Sequence, residues 1–167
     1  MNIFKMHFLV FIGIMLSIVA CDSSDEPNTQ SQFIASESDF IGYSNWSKID
    51  ERVGEDPAGY TKGAHGAADS SILRKIFVKQ SGVVRNESNQ FPLGTIFAKE
   101  MSINGVTDII TIMTKRGGDY DEGGNNWEYF MVSPSGSILG RGDTLMGGGC
   151  KGCHSFAGTG RDFIFSK

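Results

Sequence analysis

The order of apolar and polar positions along most of this chain predicts strands. Four segments are rich in β-branched and aromatic residues and bounded by Gly, Pro, Asn or Asp: 72–79 (ILRKIFVK), 95–101 (TIFAKEM), 106–115 (VTDIITIMTK) and 127–132 (WEYFMV). A short fifth strand is expected around Ile138 and Leu139, after a Ser135-Gly136 turn. Asn104-Gly105 predicts a tight hairpin, because both residues tolerate the positive φ that a two-residue turn demands. Short connections between sequential strands imply antiparallel pairing. In residues 39–52 (DFIGYSNWSKIDER), Phe40, Tyr43 and Trp46 recur at a spacing of three, which predicts a short helix. A glycine-bearing loop follows, from Asp56-Pro57 to Gly66. The expected fold class is α+β: mainly an antiparallel β-sheet, with a few flanking helices and a short C-terminal helix.

The N-terminus follows a different pattern. Lys5 precedes a nearly unbroken apolar run, Phe8 to Val19 (FLVFIGIMLSIV). As a helix this run extends about 18 Å, short of the ~30 Å hydrocarbon core of a bilayer. It matches the apolar region of an export signal. The run closes on Ile18-Val19-Ala20-Cys21, similar to a bacterial lipobox, in which the cysteine is acylated and the signal is cut before it. The reading is therefore a signal peptide over 1–20, a lipidated and disordered tether over 21–38, and a folded domain over 39–167. The tether, DSSDEPNTQSQFIASES after Cys21, is polar and acidic with few large apolar residues. Two or more acyl chains on Cys21 would anchor the protein to a membrane of the bacterial cell envelope, facing the periplasm or the exterior.

Composition sharpens this picture. The 167 residues carry 15 Lys and Arg against 19 Asp and Glu, net −4, and no basic run stands out, which argues against nucleic acid as a partner. Without residues 1–20 and their one lysine, the net charge is −5. The three cysteines are too few for a disulfide scaffold or a four-thiolate metal site. Two of them form Cys150-Lys151-Gly152-Cys153-His154, the C-x-x-C-H signature of covalent c-type haem attachment. In that chemistry the thiols of Cys150 and Cys153 add across the haem vinyl groups, and His154 binds the iron. A redox disulfide leaves the histidine unexplained, and zinc leaves the ligand set incomplete. One covalent haem c is therefore the expected cofactor. The motif lies near the C-terminus of a β-rich chain, a poor match to the small all-helical cytochromes c.

With these residues in hand, the chain resembles the cytochrome P-460 and cytochrome c′-beta family. The resemblance covers about residues 73–166 and is carried by Leu73-Arg74-Lys75-Ile76-Phe77-Val78, by Phe91-Pro92-Leu93-Gly94-Thr95 through Lys99-Glu100, and by Met113-Thr114-Lys115-Arg116. Asn126-Trp127-Glu128-Tyr129-Phe130, the haem motif and Arg161-Asp162-Phe163-Ile164-Phe165-Ser166 complete it. The order and spacing of these segments carry the likeness; no one of them is decisive. It implies a five-coordinate iron with His154 as its one protein ligand and an open face for small nitrogen ligands such as nitric oxide or hydroxylamine. It also implies a homodimer.

Members of the P-460 type oxidise hydroxylamine and link a strand lysine to the haem edge. The matching residue is Lys99, and alternation places it on a face with Thr95, Phe97 and Met101. Arg74 matches an arginine that faces the distal pocket, and Phe97 is a candidate distal wall. For each there is a plainer reading: a snorkelling lysine, a solvated arginine, a core phenylalanine. Glu100 falls on the opposite strand face, so no distal carboxylate is evident to move protons. As alternatives to a sixth haem ligand, His65 is read as a loop histidine, and Met101, Met113 and Met131 as core. Three functions remain open: a ligand-binding haem protein, a hydroxylamine oxidoreductase delivering electrons to a soluble cytochrome, and a six-coordinate haem c electron carrier.

Overall fold

The computed structural model describes residues 31–55, 65 and 70–166. Six strands form one antiparallel sheet: β1 (Ser47–Val53), β2 (Leu73–Val78), β3 (Ile96–Ser102), β4 (Ile110–Lys115), β5 (Trp127–Val132) and β6 (Ile138–Arg141). They lie side by side in chain order, each antiparallel to the next. A single α-helix among the described residues, α1 (Gly149–Ser155), follows β6, and several one-turn 3-10 segments complete the α+β, mainly β architecture. Asn104 and Gly105 both adopt positive φ, 52° and 79°, and bring Ile103 opposite Val106, the tight turn that the dipeptide predicts.

Both faces of the sheet are apolar, which is why β5 reads as almost continuous hydrophobic sequence. On one face Phe77, Ile96, Ala98, Ile110, Ile112, Phe130 and Val132 pack against Ala35, Phe40 and Tyr43. Phe40 is fully buried and meets Phe130 edge to face, ring centroids 5.0 Å apart. The segment ahead of residue 39 therefore belongs to the body: Ala35 is buried, Phe33 packs on the core, and the Phe33 amide donates to the Arg116 carbonyl at 2.8 Å. The expected boundary at residue 39 moves toward the N-terminus accordingly. On the other face Val78, Phe97, Met113, Trp127 and Tyr129 pack under Phe91, Phe163 and Ile164.

The helix expected over 39–52 is not formed. Glu37–Asp39 and Tyr43–Asn45 are 3-10 turns, and the remainder is β1. The spacing of Phe40, Tyr43 and Trp46 reflects those turns. β1 (SKIDERV) is an edge strand with charged residues on its open side and a register shift between Lys48 and Asp50, so it carries little hydrophobic alternation. Glu100 sits on the face away from Lys99: it accepts from the Tyr43 hydroxyl at 2.8 Å and pairs with Lys75 at 3.2 Å.

Phe40 anchors the N-terminal segment to one face of the sheet. Phe40→Ala is expected to lower unfolding stability by about 3–5 kcal/mol in urea titration; an unchanged midpoint would place this segment outside the cooperative fold.

Candidate functional site

The chain turns from β6 into α1 through Met146, Gly147 and Gly148, all at positive φ (56°, 65° and 80°), a run that two glycines make accessible. In α1, Cys150, Cys153 and His154 stand at i, i+3 and i+4, so the helical repeat gathers all three on one side. Lys151, between the cysteines, pairs with Asp121 at 2.5 Å and ties α1 to the β4–β5 connection. Cys150 and Cys153 are not joined in a disulfide, and both are partly exposed. Burial pushes the Cys150 thiol above its usual pKa, and the neighbouring Cys153 adds to the shift.

His154 is held on three sides. Its Nδ1 lies 2.9 Å from the Phe163 carbonyl. A carbonyl only accepts, so Nδ1 carries the proton in this contact. The ring lies between Tyr129 (centroids 5.5 Å apart) and Phe165 (5.6 Å).

The Phe163 carbonyl is itself fixed from below. Asp162, fully buried, accepts from the Phe91 amide at 2.6 Å, the Trp127 indole at 3.0 Å, the Lys115 ammonium at 2.7 Å and the Asn125 side chain. Burial lowers the Lys115 pKa, while the Asp162 charge pulls it the other way. Lys115 also lies over the Trp127 ring, 5.1 Å from its centroid.

Cys150, Cys153 and His154 open onto a cleft of about 770 Å³, within the usual range for small-molecule sites. Its floor is the half of the second sheet face that Phe91, Phe163 and Ile164 leave uncovered. Lys99 and Phe97 line this floor with Ile76, Thr111, Met113 and Tyr129, as strand alternation requires. Phe97 is buried and stacks edge to face on Phe91, centroids 4.9 Å apart, so it is both core and wall. Arg74 also lines the cleft, but it is 2% exposed and its guanidinium donates to the carbonyls of Gly54, Ile72 (3.4 Å) and His65 (3.5 Å). These contacts tie Arg74 to the residue after β1, to Ile72 and to His65.

The structure thus brings Lys99, Arg74 and Phe97 together with the C-x-x-C-H residues in a single cleft. Cys21 lies outside the described residues. Two lining residues escape a reading of local sequence: Asp50 and Arg52, paired with each other on β1. Neither belongs to a motif, and only the cross-strand register places Asp50 opposite Ile76 and Arg52 opposite Arg74. Asp50 is a carboxylate in the cleft of the kind that inspection of β3 alone does not find. Among the described residues, no group of three or more His, Cys, Asp or Glu side chains is arranged to hold a metal ion. No helix among them is long and apolar enough to cross a membrane. No family model, curated protein or solved structure matches the chain.

The buried Lys115–Asp162 pair predicts strong coupling. Lys115→Met and Asp162→Asn are each expected to cost about 3–5 kcal/mol, since each strands a buried charge or its donors. The double variant should cost clearly less than the sum. Urea titration of the four proteins measures this, and strict additivity would show that the two groups do not depend on each other.

Proposed function

We propose that this chain is an exported mono-haem c protein whose iron is bound by His154 and binds small nitrogen ligands such as nitric oxide or hydroxylamine on its other face. The observation that carries the reading is the placement of His154: its Nδ1 is held by the Phe163 carbonyl, and its ring lines the same cleft as both cysteines.

The residues present fit the group. Each Cys S–H adds across a vinyl C=C, forming one C–S bond and one C–H bond with no leaving group and no oxidant. The two thiols stand three residues apart on one helix, as attachment to one porphyrin needs. The apolar floor of Ile76, Phe97 and Met113 suits the macrocycle, and Arg52, Lys99 and Arg161 bring positive charge that complements propionate carboxylates. When bound, the haem supplies an iron centre with an open coordination position. The chain's own residues orient the imidazole, keep bulk water from the buried side, and narrow access through Phe97. The likeness to the cytochrome P-460 and cytochrome c′-beta family supports the same reading, as does the lipobox-like Ile18-Val19-Ala20-Cys21 for an exported, lipid-anchored protein.

A second reading is favoured by Lys99, whose strand position puts it on the cleft floor. In that reading the lysine amine replaces a hydrogen at the haem edge, with an N–H and a C–H bond broken and two electrons taken up by a peroxide-class oxidant, and the protein oxidises hydroxylamine, with electrons leaving to a soluble cytochrome and protons to a group such as Asp50. A third, the six-coordinate electron carrier, draws on His65, which also lines the cleft.

The double variant Cys150→Ala/Cys153→Ala is expected to lose all haem that survives denaturing electrophoresis, while wild type stains; retained stain overturns the haem c reading. In the ferrous protein, a five-coordinate high-spin spectrum of ordinary c type is expected. A red-shifted Soret band would point to the hydroxylamine oxidoreductase, and a six-coordinate low-spin spectrum to the electron carrier.

Peptide mass spectrometry of the digested holoprotein decides the role of Lys99. The ligand-binding reading expects a free peptide with unmodified Lys99. Its absence, together with a haem-bearing peptide that contains Lys99, would assign the cross-linked enzyme.

A further inference from the structure

Asp162 and Phe163 are consecutive non-glycine residues in the left-handed region, at φ 50° and 58°. Side chains rarely adopt this conformation, and two in succession persist only where the surroundings enforce them. The enforcing contacts are on the Asp162 side chain. Its carboxylate takes donors from the loop before β3 (Phe91), the end of β4 (Lys115), the turn before β5 (Asn125) and the start of β5 (Trp127). The next peptide carries the carbonyl that receives the His154 Nδ1–H at 2.9 Å.

We infer that Asp162 is a positioning residue for His154: through the backbone twist it imposes at 162–163, the buried carboxylate sets both the tautomer and the electron-donor strength of the imidazole. These four donors belong to the sheet and its connections, whereas His154 stands on α1, so the link between carboxylate and imidazole is mechanical. With the carboxylate anchored in the sheet framework, the Phe163 carbonyl points at Nδ1. Without that anchor, the segment relaxes toward right-handed backbone and the carbonyl turns away. Nδ1–H then loses its acceptor, and the tautomer with the proton on Nε2 becomes accessible. A hydrogen bond from Nδ1–H also makes Nε2 a better donor, which favours the more highly charged state of a bound metal. This last consequence rests on the haem reading; the tautomer does not.

Two measurements separate these. In the full chain carrying Cys150→Ala/Cys153→Ala, ¹⁵N NMR of His154 should show the Nδ1–H tautomer. Adding Asp162→Asn should convert it to a mixture, while Lys115→Arg, which keeps a cation against the carboxylate, should leave it unchanged. In the holoprotein, Asp162→Asn should weaken the iron–imidazole stretch in resonance Raman spectra. It should also shift the ferric–ferrous equilibrium about tenfold toward ferrous, about 59 mV upward in potential, with Lys115→Arg close to wild type. An Asp162→Asn protein that is less stable but keeps the Nδ1–H tautomer overturns the inference, and would leave Asp162 as a purely structural group. Should Asp162→Asn fail to fold, Trp127→Phe removes one of the four donors and is read in the same way. Absence of covalent haem from wild type would overturn the haem reading alone, since the tautomer measurement stands without it.

Discussion

Four hydrogen-bond donors converge on the buried carboxylate of Asp162, and the C-terminal segment takes its course from that contact. A carboxylate with no exposure is tolerable only where its charge is matched and its lone pairs are filled. Here Lys115 supplies the charge, and Trp127, Asn125 and the Phe91 amide fill the remaining positions. The chain after α1 is thereby drawn down onto the sheet, where Phe163 and Ile164 complete one core. The same descent brings the Phe163 carbonyl under His154. Packing, backbone twist and imidazole orientation share a single electrostatic origin.

The second consequence is a division of one sheet face into two territories. Near Val78, Phe97, Met113 and Trp127 the strands are roofed by Phe91, Phe163 and Ile164. Farther along the same strands, at Ile76, Lys99 and Thr111, nothing of comparable size from the described chain fills the space, and the face becomes the floor of a cleft. Phe97 stands at the border, stacked on Phe91 on one side and lining the cleft on the other. A cofactor seated there would extend the apolar layer that the aromatic roof begins.

Among the described residues, the opposite face is covered. Phe40, Tyr43 and Ala35 close it, and its charged residues are paired: Glu100 with Tyr43 and Lys75, Glu128 with Arg116 at 3.3 Å and Arg141 at 2.8 Å. Arg141 also lies over Phe130, 4.8 Å from its ring centroid. Among the described residues, these charges enter this core with a partner.

Much of this was legible in the amino-acid sequence. The β-formers of β2 to β5, the Asn104-Gly105 turn and the C-x-x-C-H spacing are local properties, set by backbone preference and helical or strand repeat within a few residues. Alternation alone placed Phe97 and Lys99 on one face and Glu100 on the other. What local sequence could not express is which distant residues meet. β1 is charged and irregular, and its identity as a strand depends on β2 lying beside it. Asp50 and Arg52 reach the cleft only through that pairing, and Ala35 and Phe33 join the core only because a sheet face is there to receive them. Asp162 has no local reason to be buried or to twist the backbone. Its role comes from donors 35 to 71 residues away in the chain, so only the folded structure decides it.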